Sequence, residues 1–132
     1  MGVKIVMDSQ EEQKAWKKVK YSQKFLNAFR GMYIVWKTTR LISVHILSAV
    51  AVVIAGFYFD VSSIEWVALV FTIGFVLVSE VFNTAIEIDI DLTSPGYHPY
   101  AKDTKDVAAG AVMLSAFVAV IVGLIIFLPK IF

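Results

Sequence analysis

The chain has 132 residues, of which 58% are hydrophobic and 17% charged, with a mean hydropathy of +0.74. Soluble domains run at roughly 45–50% apolar and about 25% charged, and a domain this small has too much surface for its volume to hide the excess, so a soluble monomer and a disordered chain are both excluded. Without cysteine there is no disulfide framework or thiolate metal centre, and two histidines are too few for a His-built zinc site.

The net charge of +1 conceals an asymmetry. Nine of the twelve basic residues lie in the first forty: Lys4, Lys14, Lys17, Lys18, Lys20, Lys24, Arg30, Lys37 and Arg40. Beside so much apolar sequence, an anionic membrane surface is the simpler partner for this arm, and no nucleic acid is expected. From Glu11 to Trp36 the apolar residues Tyr21, Phe25, Ala28, Phe29, Met32 and Trp36 recur at spacings of three and four. That pattern predicts an amphipathic helix lying on the membrane surface.

Three apolar spans follow, at about 41–59, 66–88 and 107–128. The first carries His45 as its one ionisable side chain apart from a terminal tyrosine, and at about 1.5 Å per residue it covers roughly 28 Å, close to the thickness of a hydrocarbon core. No segment has a signal-peptide layout, so this span is expected to remain in the mature protein. The second begins at Trp66 and continues into Ser79–Glu87. The third opens on Ala108-Ala109-Gly110-Ala111, small residues that let helices approach closely in lipid, and is expected to end at Pro129. The chain therefore reads as a single all-α membrane domain over 1–132: a basic arm and surface helix over 1–40, then three transmembrane helices. Loop charges predict its direction. The connection Asp60–Glu65 has no Lys or Arg, whereas the second has Lys102 and Lys105. The N-terminus and the second connection are expected in the cytoplasm, and the first connection and the C-terminus outside.

An ionisable residue inside a span is expensive and points to function. At 100° per residue, Glu80, Asn83, Thr84, Glu87 and Asp91 fall within about a third of the helix circumference. Counted from Trp66, Glu80 lies about 21 Å along and Glu87 about 31 Å, so the stripe occupies one half of the span. Carboxylates two turns apart with an amide between them can bind a divalent cation, and a desolvated one can serve as a general base. The competing reading is a polar seam that holds a bundle together, or a cation pathway. Lys105-Asp106 lies at the mouth of the third span, where lysine can neutralise phosphate oxygens. The chain has no Gly-rich phosphate loop, so a nucleotide would be held by side chains and metal.

The run Glu80-Val81-Phe82-Asn83-Thr84-Ala85-Ile86-Glu87, with Asp91, His98 and the later Lys105-Asp106-Val107-Ala108-Ala109-Gly110-Ala111-Val112, resembles the prokaryotic diacylglycerol kinase family, and within it the Gram-positive-type branch of undecaprenol kinases. The resemblance runs from about Phe25 to the C-terminus. It implies a homotrimer in a prokaryotic cell membrane, with active sites at subunit boundaries near the cytoplasmic interface. It also implies transfer of the ATP γ-phosphoryl group to a lipid hydroxyl, that of undecaprenol or diacylglycerol. By position, Glu80 would be the base, Glu87 would ligate Mg²⁺, Asn83 would orient the site, and Lys105 and Asp106 would contact the nucleotide phosphates or hold the helix that does. Thr39 stands where the family usually has a glutamate metal ligand. Asp89 replaces the family's usual apolar residue; it points about 180° from Glu80 and is a second candidate metal ligand, one that in a trimer could reach a neighbour's site. The alternative on the same scaffold is a non-catalytic lipid-binding or assembly protein.

Overall fold

The computed structural model describes residues 20–132, so the part of the surface helix expected over 11–19 lies outside the described residues. The described chain is helical, with four helices and no strand: α1 (Tyr21–Thr38), α2 (Leu41–Tyr58), α3 (Ser63–Thr93) and α4 (Pro99–Ile131). Two compact units are divided after Ile34.

The first unit holds most of α1. Phe25 and Phe29, four residues apart, stack edge to face with centroids 5.2 Å apart, and the Lys24 ammonium lies over the Tyr21 ring. The apolar and basic side chains thus share one short helix, as a surface-seeking element requires.

The second unit is the helical hairpin array from Val35 onward. α3 packs chiefly against α4, and α2 leans on α3. All three helices are long and apolar enough to cross a membrane. At about 1.5 Å per residue, α2 covers roughly 27 Å, α3 roughly 46 Å and α4 roughly 50 Å. The last two exceed a hydrocarbon core of about 30 Å, because each continues beyond its apolar run towards the polar residues around 91–106. Only 11–17% of the best apolar window of each helix is buried within the chain. The remaining apolar surface needs lipid or another protein chain as its solvent.

Local chemistry explains the turn between α2 and α3. Asp60 adopts a left-handed conformation (φ 49°). The Val61 amide donates to the Gly56 carbonyl at 3.1 Å and the Asp60 amide to that of Phe57 at 3.3 Å, the paired bonds of a Schellman C-cap. Ser62 then starts α3 with a reciprocal capping box: its amide donates to Glu65 Oε2 at 2.7 Å, and its hydroxyl accepts from the Glu65 amide. Beside this turn, Val61, Leu69 and Ile126 form a small core with Phe59, Trp66 and Phe127 against it.

Pro129 does not end the third span. α4 runs through it to Ile131. A proline so near a C-terminus forfeits one backbone bond and has little helix left to distort. Lys130 Nζ, 3.2 Å from Glu65 Oε2, ties this last turn to the start of α3.

Gly56 faces the Trp66 ring so closely that an added Cβ would lie 2.6 Å from it. Gly56→Ala is therefore expected to destabilise the detergent-solubilised protein by about 1–3 kcal/mol, the usual cost of overpacking. An unchanged thermal midpoint would show that the α2–α3 contact is looser than this.

Candidate functional site

The polar face of α3 is turned inward. Glu80 and Thr84 have no exposed surface and Asn83 is buried, while Glu87 is half-buried and Asp91 exposed. The opposing face of α4 is small: Ala108, Val112 and Ser115 are buried at i, i+4 and i+7. The Ser115 hydroxyl donates to the carbonyl of Val112, so it seals its own helix and leaves the α3 stripe unpartnered from that side. Of the Ala-Gly cluster, Ala108 alone is buried, while Ala109 and Ala111 are exposed and Gly110 has open space beside it, so the small residue at 108 is the one that favours close approach to α3.

A ladder of hydroxyls braces Glu80 from behind. Thr84 Oγ1 donates to the Glu80 carbonyl at 3.0 Å. Its one proton is spent there, so the Thr39 hydroxyl, 2.9 Å away, is the donor in the Thr39–Thr84 bond. The carboxylate itself is different. Neither Glu80 oxygen has a hydrogen-bond partner among the described residues, and the same holds for Asn83 Oδ1 and His45 Nε2. His45 Nε2 lies 3.9 Å from Glu80 Oε2. Leaving a buried carboxylate unsatisfied costs several times what an exposed one would; such a group in a folded protein calls for a reason.

The stripe continues towards the polar end. Asn83 Nδ2 donates to Glu87 Oε1 at 3.4 Å. One turn past Glu87, Asp91 is hydrogen-bonded and ion-paired with Lys105 of α4, and Glu87 is near enough for its charge to act on Lys105 as well. Lys102 pairs with Asp106. These four charged side chains line a pocket of about 270 Å³ with Tyr97 and His98 of the α3–α4 connection. His98 caps the start of α4, its Nδ1 accepting from the Tyr100 amide.

Of the residues singled out from sequence, Glu80, Asn83, Glu87 and Lys105 therefore lie along one α3–α4 seam, while Asp106 is exposed and pairs with Lys102 of its own helix. Thr39 reaches the seam through Thr84. Asp89 stands apart and exposed, on the other side of α3. His45, noted in the sequence as an ionisable exception in the first span, was given no role there, although such a residue is itself a functional signal.

No group of three or more acidic, histidine or cysteine side chains that could hold a metal ion occurs among the described residues. The oxygen donors that lie together are Glu87 and, one turn away, Asn83 Oδ1. That set fits Mg²⁺ only as Mg²⁺ is usually held in phosphate chemistry, by one or two carboxylates together with water and substrate phosphates.

The family model for prokaryotic diacylglycerol kinase matches residues 26–127. The chain belongs to the prokaryotic diacylglycerol kinase family. It is 42% identical over 111 residues to the undecaprenol kinase of Bacillus subtilis, covering 84% of this chain and 90% of that protein. To the diacylglycerol kinase of Synechocystis it is 40% identical over 106 residues, 80% of this chain and 61% of the relative. To that of Escherichia coli it is 27% identical over 94 residues, 71% of this chain and 77% of the relative. It is thus a multi-pass membrane protein of a lipid kinase family. Membership implies a nucleotide co-substrate, and the pocket lined by Lys102 and Lys105 is where the chain offers cations at the end of the polar seam.

Proposed function

We propose that this protein transfers the γ-phosphoryl group of ATP to the hydroxyl of a polyprenol such as undecaprenol, with diacylglycerol as the second choice of acceptor. The observation that carries the reading is Glu80: a carboxylate fully buried in a spanning helix, with both oxygens unpartnered among the described residues and one face of acidic and amide side chains leading from it to two lysines. Similarity to an undecaprenol kinase over nine-tenths of that protein's length supports the choice of acceptor.

Glu80 acts as the general base. The lipid hydroxyl gives its proton to the carboxylate as its oxygen bonds to the γ-phosphorus, and the bond from that phosphorus to the β–γ bridging oxygen breaks, releasing ADP. The transition state needs positioning and charge neutralisation more than covalent help. Lys105 and Lys102 neutralise nucleotide phosphates, each held in place by an acidic partner, Asp91 and Asp106. Asn83 orients Glu87 through its amide. Glu87 would hold Mg²⁺, whose charge, when bound, offsets that on the phosphates. The apolar exterior of the spans suits a homotrimer, with the polar end in the cytoplasm where ATP is available.

Glu80→Gln keeps the side-chain size and removes the proton acceptor. It is expected to lower turnover of labelled ATP with undecaprenol by about 10²–10⁴-fold, the usual worth of a general base, while the protein still folds and assembles. Near-native turnover would remove Glu80 from the mechanism, and turnover of neither lipid alcohol by the unaltered protein would favour the non-catalytic reading.

Thr39 is bonded to Thr84, one turn before Glu87 on α3. A carboxylate introduced by Thr39→Glu would start within a helical turn of Glu87 and add charge for a hard cation. The Mg²⁺ concentration giving half-maximal rate should fall. No change would mean that the metal is held elsewhere, with Asp89 the first residue to test.

The chain has no cysteine, so Ser62→Cys gives a single label in the α2–α3 turn. It is expected to react with an impermeant maleimide in intact cells, and the purified protein to weigh three chains by native mass spectrometry. Labelling only after permeabilisation would reverse the orientation, and any other mass would remove the trimer.

A further inference from the structure

His45 lies on α2, a different helix from every residue given a role above. Its side chain is 15% exposed and its Nε2, buried and without a hydrogen-bond partner among the described residues, lies 3.9 Å from Glu80 Oε2. The histidine also lines a cavity of about 320 Å³ between α2, α3 and α4, whose walls are otherwise almost wholly apolar. The two hydroxyls there, Ser48 and Thr72, donate to the carbonyls of Val44 and Ala68 on their own helices. They offer no proton to the imidazole or the carboxylate. Glu80 and His45 are therefore each other's nearest polar answer in an apolar surround.

The chemistry of the pair restricts its states. An unprotonated Nε2 facing an ionised carboxylate would set lone pair against lone pair. A proton on Nε2 turns the same approach into a donor–acceptor contact. The 3.9 Å gap is an ion-pair distance that a small side-chain rotation closes, and catalytic hydrogen bonds commonly tighten only when substrate is bound.

We infer that His45 is the positioning residue of the phosphoryl-transfer base: its Nε2 proton engages Oε2 of Glu80, holds the buried carboxylate ionised and in one orientation, and leaves Oε1 to accept the proton of the lipid hydroxyl. This rests on the reading of Glu80 as the base. It follows the general logic of a catalytic base oriented by a third group. His45 keeps its own proton throughout, so the proton balance of the transfer step is unchanged.

Few other groups can act on Glu80. From α2, His45 is the titratable residue that faces it. On α3 itself the next is Glu87, two turns away. On α4, residues 107–129 contain no titratable side chain.

The test compares His45→Phe, His45→Gln, Glu80→Gln and the His45→Phe/Glu80→Gln double variant, each purified in detergent and assayed with labelled ATP and undecaprenol. His45→Phe is expected to lower kcat on the order of 10²-fold, the effect of misplacing a reacting group, with KM for both substrates nearly unchanged. His45→Gln, which retains an N–H donor, should recover part of the rate; it also serves as the reading if the phenylalanine variant fails to fold. The double variant should be no slower than Glu80→Gln alone, since His45 acts through that carboxylate. Near-native rates for both His45 variants, or a loss that adds to that of Glu80→Gln, would overturn the inference while leaving Glu80 as the base. A near-native Glu80→Gln would sink the base and this inference with it.

Discussion

A carboxylate without a hydrogen-bond donor among the described residues, buried on a membrane-spanning helix, is the costliest feature of this fold, and the rest of the second unit can be read as the means of keeping it there. Lipid offers no hydrogen bonds, so Glu80 must face protein. The α4 backbone has to come close enough to cover it, which requires Ala108, Val112 and Ser115 where a soluble bundle would place leucines. Ser115 and Thr84, both buried, turn their protons onto backbone carbonyls and so add no unsatisfied donor. The hairpin end is tightened independently by the Schellman turn, the Ser62–Glu65 box and the Gly56–Trp66 contact. With that end fixed, α3 and α4 hold their register towards the polar end, where Asp91 meets Lys105.

The membrane architecture was legible from sequence because hydropathy and helix length act residue by residue. Spans of the right length, a basic arm and a loop rich in proline and glycine need no tertiary information. The 100° periodicity of α3 likewise placed Glu80, Asn83, Glu87 and Asp91 on one face. Reading Pro129 as the end failed because the rule concerns helix interiors, and two residues before the terminus the distortion has nowhere to propagate. The ion pair of Lys105 with Asp91 was beyond reach, since it joins two helices across a connection whose path the sequence does not state; that of Lys102 with Asp106, four residues apart on one helix, follows from helix periodicity. His45 was visible as a polar exception in an apolar run. That it approaches Glu80 is a matter of how α2 is rotated against α3, and with a nearly uniform apolar surface α2 carries little sequence signal for its rotation.

Thr39 shows how a single neutral residue alters the balance of the seam. The hydroxyl completes a directed series, Thr39 to Thr84 to the Glu80 carbonyl, that ties the segment before α2 to the middle of α3. A glutamate in that place would be an acceptor only. It could take the proton of Thr84, but Thr84 would then have none for the Glu80 carbonyl, and a further negative charge would join Glu80, Glu87 and Asp91 in surroundings of low dielectric. Such a charge is tolerable when a divalent cation is bound and repulsive when it is not. With threonine, the seam without metal carries less internal repulsion, and the support of Glu80 does not depend on metal occupancy. On the proposed reading, such a chain keeps the backbone beneath its base tied in place between turnovers, and the incoming nucleotide, with Glu87, would bring the cation.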